Sequence, residues 1–303
     1  MNIAGRRPLF PALLRLAATA AVSVLMLAHG SLLQAQVIPK KIAVYTDSIG
    51  DGGNVGGDPT SGSGNPHGVV SQYASYPAHG ASPSLYDLAW RIFGASGASS
   101  YDAQQFGGST LTGMVNGYKP DFATGGQQPA FGGLTLVQHA AAVQADTVII
   151  HLGGNDRAAQ GVNSPADRTA VVAYLIGMIG KQLAADGRRL VVVEQPYIVP
   201  EDAWASFPNA KKPGEDNYYT PEDINGMVSW YQDHMPALGS GINAGVAEVN
   251  AHYPGFAIRS NYWSDGTVAM NPGATHEGLH PTLATHSAIA AAVAADVKAF
   301  RGW

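Results

Sequence analysis

Lys41-Ile42-Ala43-Val44-Tyr45-Thr46-Asp47-Ser48-Ile49-Gly50-Asp51-Gly52-Gly53-Asn54 changes character at its middle. The apolar first half reads as a buried strand. The second half, rich in glycine, aspartate and asparagine, reads as a turn and loop. Ser48 then sits on the turn leaving a strand, where its hydroxyl is exposed at the sheet edge. Open α/β sheets place their ligands in strand-end loops. Two later segments supply what such a hydroxyl needs. His151-Leu152-Gly153-Gly154-Asn155-Asp156 offers amide donors, and Glu277-Gly278-Leu279-His280-Pro281 offers a base with an acid beside it.

Outward from this stretch, strands and helices alternate. Strands are expected at 41–45, weakly at 100–106, at 146–151, at 189–194 and at 256–259. Helices are expected at 83–93, 134–145, 164–186, 220–234, 243–252 and 281–300. Ser164 and Thr220 precede the third and fourth helices as caps, each followed by proline at the first helical position. This βαβ rhythm predicts a parallel sheet with helices on both faces. Two irregular segments, at 50–80 and 195–219, leave the same sheet edge as Ser48. They are read as walls or a lid of a cleft, because loops of this length in a compact domain are usually functional or disordered.

The first 35 residues do not belong to that rhythm. Arg6, Arg7 and Arg15 flank an apolar run ending near Ala28, and Leu33-Gln34-Ala35 offers small-residue cleavage. This is the layout of a secretory signal, and the apolar run is too short to favour a permanent membrane span. Residues 36–303 are then one catalytic domain, periplasmic or secreted. Removing the signal removes three arginines and no acid, so the formal charge moves from −5 to −8. No basic face suggests nucleic acid. With no cysteine in the chain, disulfides and lipid-anchored cysteines are excluded. An apolar content of 46% supports a substantial core.

Serine-type ester hydrolysis needs a nucleophilic oxygen, a base, a group that orients the base, and donors for the oxyanion. Ser48 is the candidate oxygen. His280 is the candidate base, since imidazole takes a proton near neutral pH. Glu277, three residues before it, can accept from the far ring nitrogen. The carboxamide of Asn155 and a backbone amide within Phe106-Gly107-Gly108-Ser109-Thr110 are candidate oxyanion donors, with the Ser48 amide as a third.

Four segments in order resemble the blocks of the SGNH or GDSL hydrolase family. Thr46 through Asn54 resembles the first block. Gly107-Gly108-Ser109-Thr110 resembles the glycine of the second, Gly153-Gly154-Asn155-Asp156 the third, and Glu277-Gly278-Leu279-His280-Pro281-Thr282 the last. The resemblance implies a three-layer α/β/α sandwich of flavodoxin-like type with no metal and no cofactor. It implies that Ser48 forms an acyl-enzyme, with His280 as base and Gly108 and Asn155 as oxyanion donors. Two positions depart from the pattern. Thr46 replaces the usual first glycine, and Glu277 replaces the usual aspartate. Asp265 or a backbone carbonyl is therefore an alternative partner for His280.

Other readings compete. Asp47 and Asp156 are expected to brace turns, and His286 to be packed within the last helix. His276-Glu277-Gly278-Leu279-His280 reads literally as a zinc-protease signature, but that chemistry needs both histidines on one face of a continuing helix. Gly278 within the segment and Pro281 after it oppose such a helix. The function expected is an exported esterase acting on a small-molecule, polysaccharide or lipid ester. The alternatives are an acyltransferase sharing the acyl-enzyme, and a non-catalytic carbohydrate-binding domain of the same fold.

Overall fold

A computed structural model describes residues 40–51, 88–121, 124–196, 198–209, 217–275 and 278–303. The segment expected as a secretory signal lies outside the described residues, as do most of the 50–80 loop, the start of the helix expected at 83–93, His276 and Glu277. The main sheet has five parallel strands: β1 (Lys41–Thr46), β2 (Ser100–Gln105), β5 (Thr147–His151), β6 (Arg189–Val193) and β7 (Ala257–Ser260). Their order across the sheet is β2-β1-β5-β6-β7. Counted along the chain, this is the flavodoxin-like 2-1-3-4-5 winding, whose direction reverses between β1 and β5. Ser48 follows β1 and Asn155 follows β5, so the topology alone brings both to one crevice.

The strands are apolar without interruption because both faces are covered. Ala43, Tyr45, Val148, Ile150, Leu190 and Val192 face one core. It is filled from α5 (Pro165–Ala185) and α7 (Pro221–His252), and from the shorter α3 (Leu111–Val115) and α4 (Leu136–Ala142). Ile42, Val44, Ile149, Val191 and Val193 face the other, with α2 (Leu88–Ser96) and α8 (Leu283–Arg301). The period of two thus sorts one apolar run into two cores, giving the expected three-layer sandwich.

Several element readings need correction. The helices expected at 220–234 and 243–252 are one helix, α7, running through Pro236. Proline and glycine at 236–241 read as a break, because each costs helix stability in isolation. Packing overrides that cost. Leu238 and Ile242 are buried, and a Cβ on Gly241 or Gly245 would come within 2.8 Å of Val172 Cβ or 2.6 Å of Ile176 Cβ on α5. The glycines are there to let two helices meet closely. The Oγ1 of Thr169 and the Nη1 of Arg259 donate to the carbonyls of Ala237 and Gly239.

The helix expected at 134–145 is shorter, Leu136–Ala142, and begins with a reciprocal capping box between Thr135 and Gln138. Within the 195–219 segment a helix, α6 (Pro200–Ser206), and a turn of 3₁₀ helix (Phe207–Asn209) replace the expected irregular loop. A hairpin of β3 (Tyr118–Asp121) and β4 (Gly126–Pro129) was not expected at all. Its glycine, proline and glutamine content hides any alternation. A four-residue helix, α1 (Ser48–Asp51), opens where a turn was expected. Among the described residues no helix is long and apolar enough to cross a membrane.

Candidate active site

The Ser48 turn is held from below. Asp47 is buried, and its Oδ1 accepts from the Ile49 amide at 3.0 Å. This Asx-type bond turns the chain straight from β1 into α1 and leaves Ser48 at its first position. Ser48 is 8% exposed, and its Oγ lies 2.9 Å from His280 Nε2. A hydroxyl at that distance from imidazole can pass it a proton. His286, fully buried on α8, places its Nε2 3.1 Å from the Ile49 carbonyl and so braces the same turn.

His280 is delivered by a loop that is not helical. Thr275 and Pro281 pair as an isolated antiparallel bridge, and α8 starts only at Leu283. The continuous helix that a zinc-protease signature requires is therefore interrupted over 278–282. Asp202 on α6 pins the loop. Its carboxylate accepts from the amides of Gly273 and Thr275 at 2.6 and 2.9 Å, and from Thr275 Oγ1 at 2.7 Å. Thr275 Oγ1 in turn accepts from the Gly278 amide at 2.9 Å. Gly278 has φ +92°, and a Cβ there would lie 2.8 Å from Ala203 Cβ and 3.0 Å from the Val199 carbonyl. Only glycine suits that backbone and that contact. Asp265, the alternative partner for His280, is exposed and accepts from the Thr267 amide in its own turn.

Asn155 comes from the loop after β5. Its Nδ2 donates to Asp47 Oδ2 at 3.1 Å and to the Ser109 carbonyl at 3.2 Å. The carboxamide is thereby tied to both the nucleophile turn and the glycine loop. Gly108 stands at the third position of the tight turn closed by the Ser109 amide on the Phe106 carbonyl, with φ +69°, a conformation natural to glycine. Asp156 is buried, as expected of a brace. Its carboxylate accepts from the amides of Leu111 and Thr112 at 2.8 and 3.1 Å and from Thr112 Oγ1 at 2.7 Å. It thus locks the start of α3 against the Asn155 loop.

Arg168, on α5, is fully buried beneath that loop. It donates to the Gly153 carbonyl, to the Asp156 carbonyl at 2.6 Å and to His234 Nδ1 at 3.2 Å. Burial, with Arg157 nearby, holds its pKa down to about 10, so it stays charged at neutral pH. Arg168→Met leaves these buried acceptors without their donor. We expect it to destabilise the fold by about 2–5 kcal/mol, since each unsatisfied group costs about 1–3. Urea unfolding measures this as a lowered midpoint.

These pieces enclose a cavity of about 220 Å³. Ser48, Gly108, Asn155 and His280 all line it, with Ile49, Pro196, Tyr231, Met235 and Leu279 as its apolar wall. The geometry thus gathers four of the five residues singled out from sequence; the fifth, Glu277, lies outside the described residues. Tyr231 and Met235 on α7 were not anticipated, and Gln195 after β6 was expected only as the start of a cleft-wall segment, not as a residue with its own role. Gln195 stands at a strand end, the one signal that could have found it. His151, which opens the Asn155 segment, is fully buried with Nδ1 3.3 Å from Thr46 Oγ1. Burial pushes its pKa down to about 3, so it is neutral.

A flavodoxin-like sheet with a serine against a histidine at its topological switch point fits the SGNH-type hydrolase class that the sequence resembles. The family model described as GDSL-like lipase/acylhydrolase matches residues 47–293. The chain belongs to that family and is a carboxylic ester hydrolase. Among solved structures it is similar to a carbohydrate acetylesterase, Est24, from Sinorhizobium meliloti, at 16% identity and a TM-score of 0.50, covering 86% of this chain and 98% of that one. It is also similar to a lipase/acylhydrolase from Enterococcus faecalis, at 16% identity and a TM-score of 0.41, covering 86% and 95%. No curated protein is matched.

Proposed function

We propose that the protein is an exported serine esterase that cleaves a carboxylic ester through an acyl-enzyme on Ser48. The observation that carries this reading is the 2.9 Å separation of Ser48 Oγ and His280 Nε2 within a cavity that Asn155 and Gly108 also line. Ser48 Oγ attacks the ester carbonyl carbon as its proton passes to His280 Nε2. The tetrahedral intermediate collapses, the bond to the alcohol oxygen breaks, and the alcohol leaves with that proton. Water then enters, gives a proton to His280 and attacks the acyl carbon. Ser48 Oγ leaves and takes the proton back, and the free acid departs.

The negative oxygen of each intermediate is assigned to the amides of Ser48 and Gly108 and to Asn155 Nδ2. The two bonds that Asn155 Nδ2 makes at rest are 3.1 and 3.2 Å long, so its hydrogens can be shared with a developing oxyanion. Glu277 is assigned the far nitrogen of His280, as the carboxylate nearest in sequence. Asn155→Ala removes one donor that acts on the transition state, and we expect kcat to fall about 10²–10³-fold with KM little changed. Steady-state hydrolysis of p-nitrophenyl acetate measures it. Activity within threefold of wild type removes Asn155 from the oxyanion site.

The cavity is smaller than the roughly 300–1,000 Å³ of pockets that take drug-sized ligands, which supports a short acyl group. A series of p-nitrophenyl esters from acetyl to palmitoyl tests this, with kcat/KM expected to be highest at the short end. Residues 1–35 are assigned as a cleaved export signal ahead of one catalytic domain, 36–303. The mass of the mature protein recovered from the periplasm or medium tests that assignment.

A further inference from the structure

Gln195 belongs to none of the motif segments, yet its one amide joins two of them. Its Nε2 donates to Asp47 Oδ2 at 2.7 Å, and its Oε1 accepts from the Gly154 amide at 2.5 Å. Asp47 immediately precedes Ser48, and Gly154 immediately precedes Asn155. The side chain starts at the end of β6 and reaches past β5 to the end of β1, so it spans the switch point. It is 2% exposed. Its orientation follows from its partners, since a flipped amide would set N–H against N–H and oxygen against carboxylate. The fit is tight: a Cβ on Gly154 would lie 2.7 Å from Gln195 Oε1.

Asp47 Oδ2 accepts both from Gln195 Nε2 and from Asn155 Nδ2. We infer that Gln195 is a positioning residue that sets the spacing of Ser48 and Asn155 and holds the Asp47 carboxylate against the Asn155 amide. The inference rests on the serine-esterase reading above. Burial raises the Asp47 pKa to about 6, while the donors from Gln195 and Ile49 and the nearby His280 pull it down. Among the described residues Tyr262, after β7, also feels the Asp47 charge, and burial and Glu194 hold it neutral. Losing the Gln195 donor raises the Asp47 pKa further. The ionised form then appears only at higher pH, and the acid limb of activity moves upward.

The test uses the full catalytic chain with Gln195→Leu and Gln195→Glu, assayed on p-nitrophenyl acetate across pH. For Gln195→Leu we expect kcat to fall about 10–100-fold, less than deletion of the oxyanion donor itself, with KM within about twofold and the acid limb of kcat displaced to higher pH. Gln195→Glu keeps an acceptor for the Gly154 amide but puts a second carboxylate against Asp47, so it displaces the limb in the same direction. It also serves if the leucine variant fails to fold. Rates within twofold of wild type, or reduced rates on an unmoved limb, overturn the inference. If Ser48→Ala retains activity, the esterase reading itself has failed, whatever the Gln195 variants do.

Discussion

Ser48→Ala is expected to abolish ester hydrolysis, with kcat lower by about 10⁶-fold, the scale on which a cooperating nucleophile fails when deleted. The size of the effect follows from the division of labour. On the proposed mechanism, loss of Oγ leaves no oxygen to form the acyl-enzyme, and the proposed oxyanion donors can only polarise a carbonyl that water must attack unaided. The fold should not change. Ser48 contributes one small side chain at the start of α1, while Asp47 shapes the turn. The variant should therefore give the wild-type circular dichroism and urea midpoint. A fluorophosphonate should label the wild-type protein covalently and leave Ser48→Ala unlabelled. Labelling that persists in the variant, or hydrolysis within tenfold of wild type, sinks the assignment.

His280→Ala is expected to cost nearly as much, again about 10⁶-fold in kcat, because on the proposed mechanism serine and histidine act as one unit. The imidazole is the described base placed against the Ser48 hydroxyl. Without it the hydroxyl must lose its proton to water, and the leaving alcohol receives none. This variant differs from Ser48→Ala in one readout. Its serine is still present, so fluorophosphonate labelling slows by orders of magnitude but still reaches Ser48. Mass spectrometry of the labelled peptide distinguishes the two. Near-normal turnover in His280→Ala would require a different base and would end the proton path described above.

The loops that carry Ser48, Asn155 and His280 were legible because glycine and turn residues mark strand ends, and buried strands are continuous apolar runs. Val148, Ile149 and Ile150 could hardly be anything else between Asp146 and the glycines at 153 and 154. Helix starts were legible where caps were written out, as at Ser164 and Thr220. Apart from the β3–β4 hairpin, whose composition hides its alternation, the main failures came from tertiary contacts. Pro236, Gly239 and Gly241 look like breakers when only local cost is counted, and the packing of α5 against Gly241 and of Arg259 against Gly239 outweighs it. Gln195 and Arg168 escaped notice for the same reason. An isolated glutamine or arginine has no pattern, and each acquires meaning only from carbonyls and carboxylates that fold around it.

Sequence alone determined the alternating α/β order and the family blocks, and singled out Ser48, His280 and Asn155 as candidates, since these depend on residues a few positions apart. Only the tertiary structure decided that Ser48 Oγ meets His280 Nε2, 232 residues away, and that Asp47, Gln195 and Asn155 share one buried hydrogen-bonded core. Such contacts arise from strand order and helix packing, which no local window of sequence contains. The winding reverses between β1 and β5, and that reversal opens the crevice in which distant residues become neighbours.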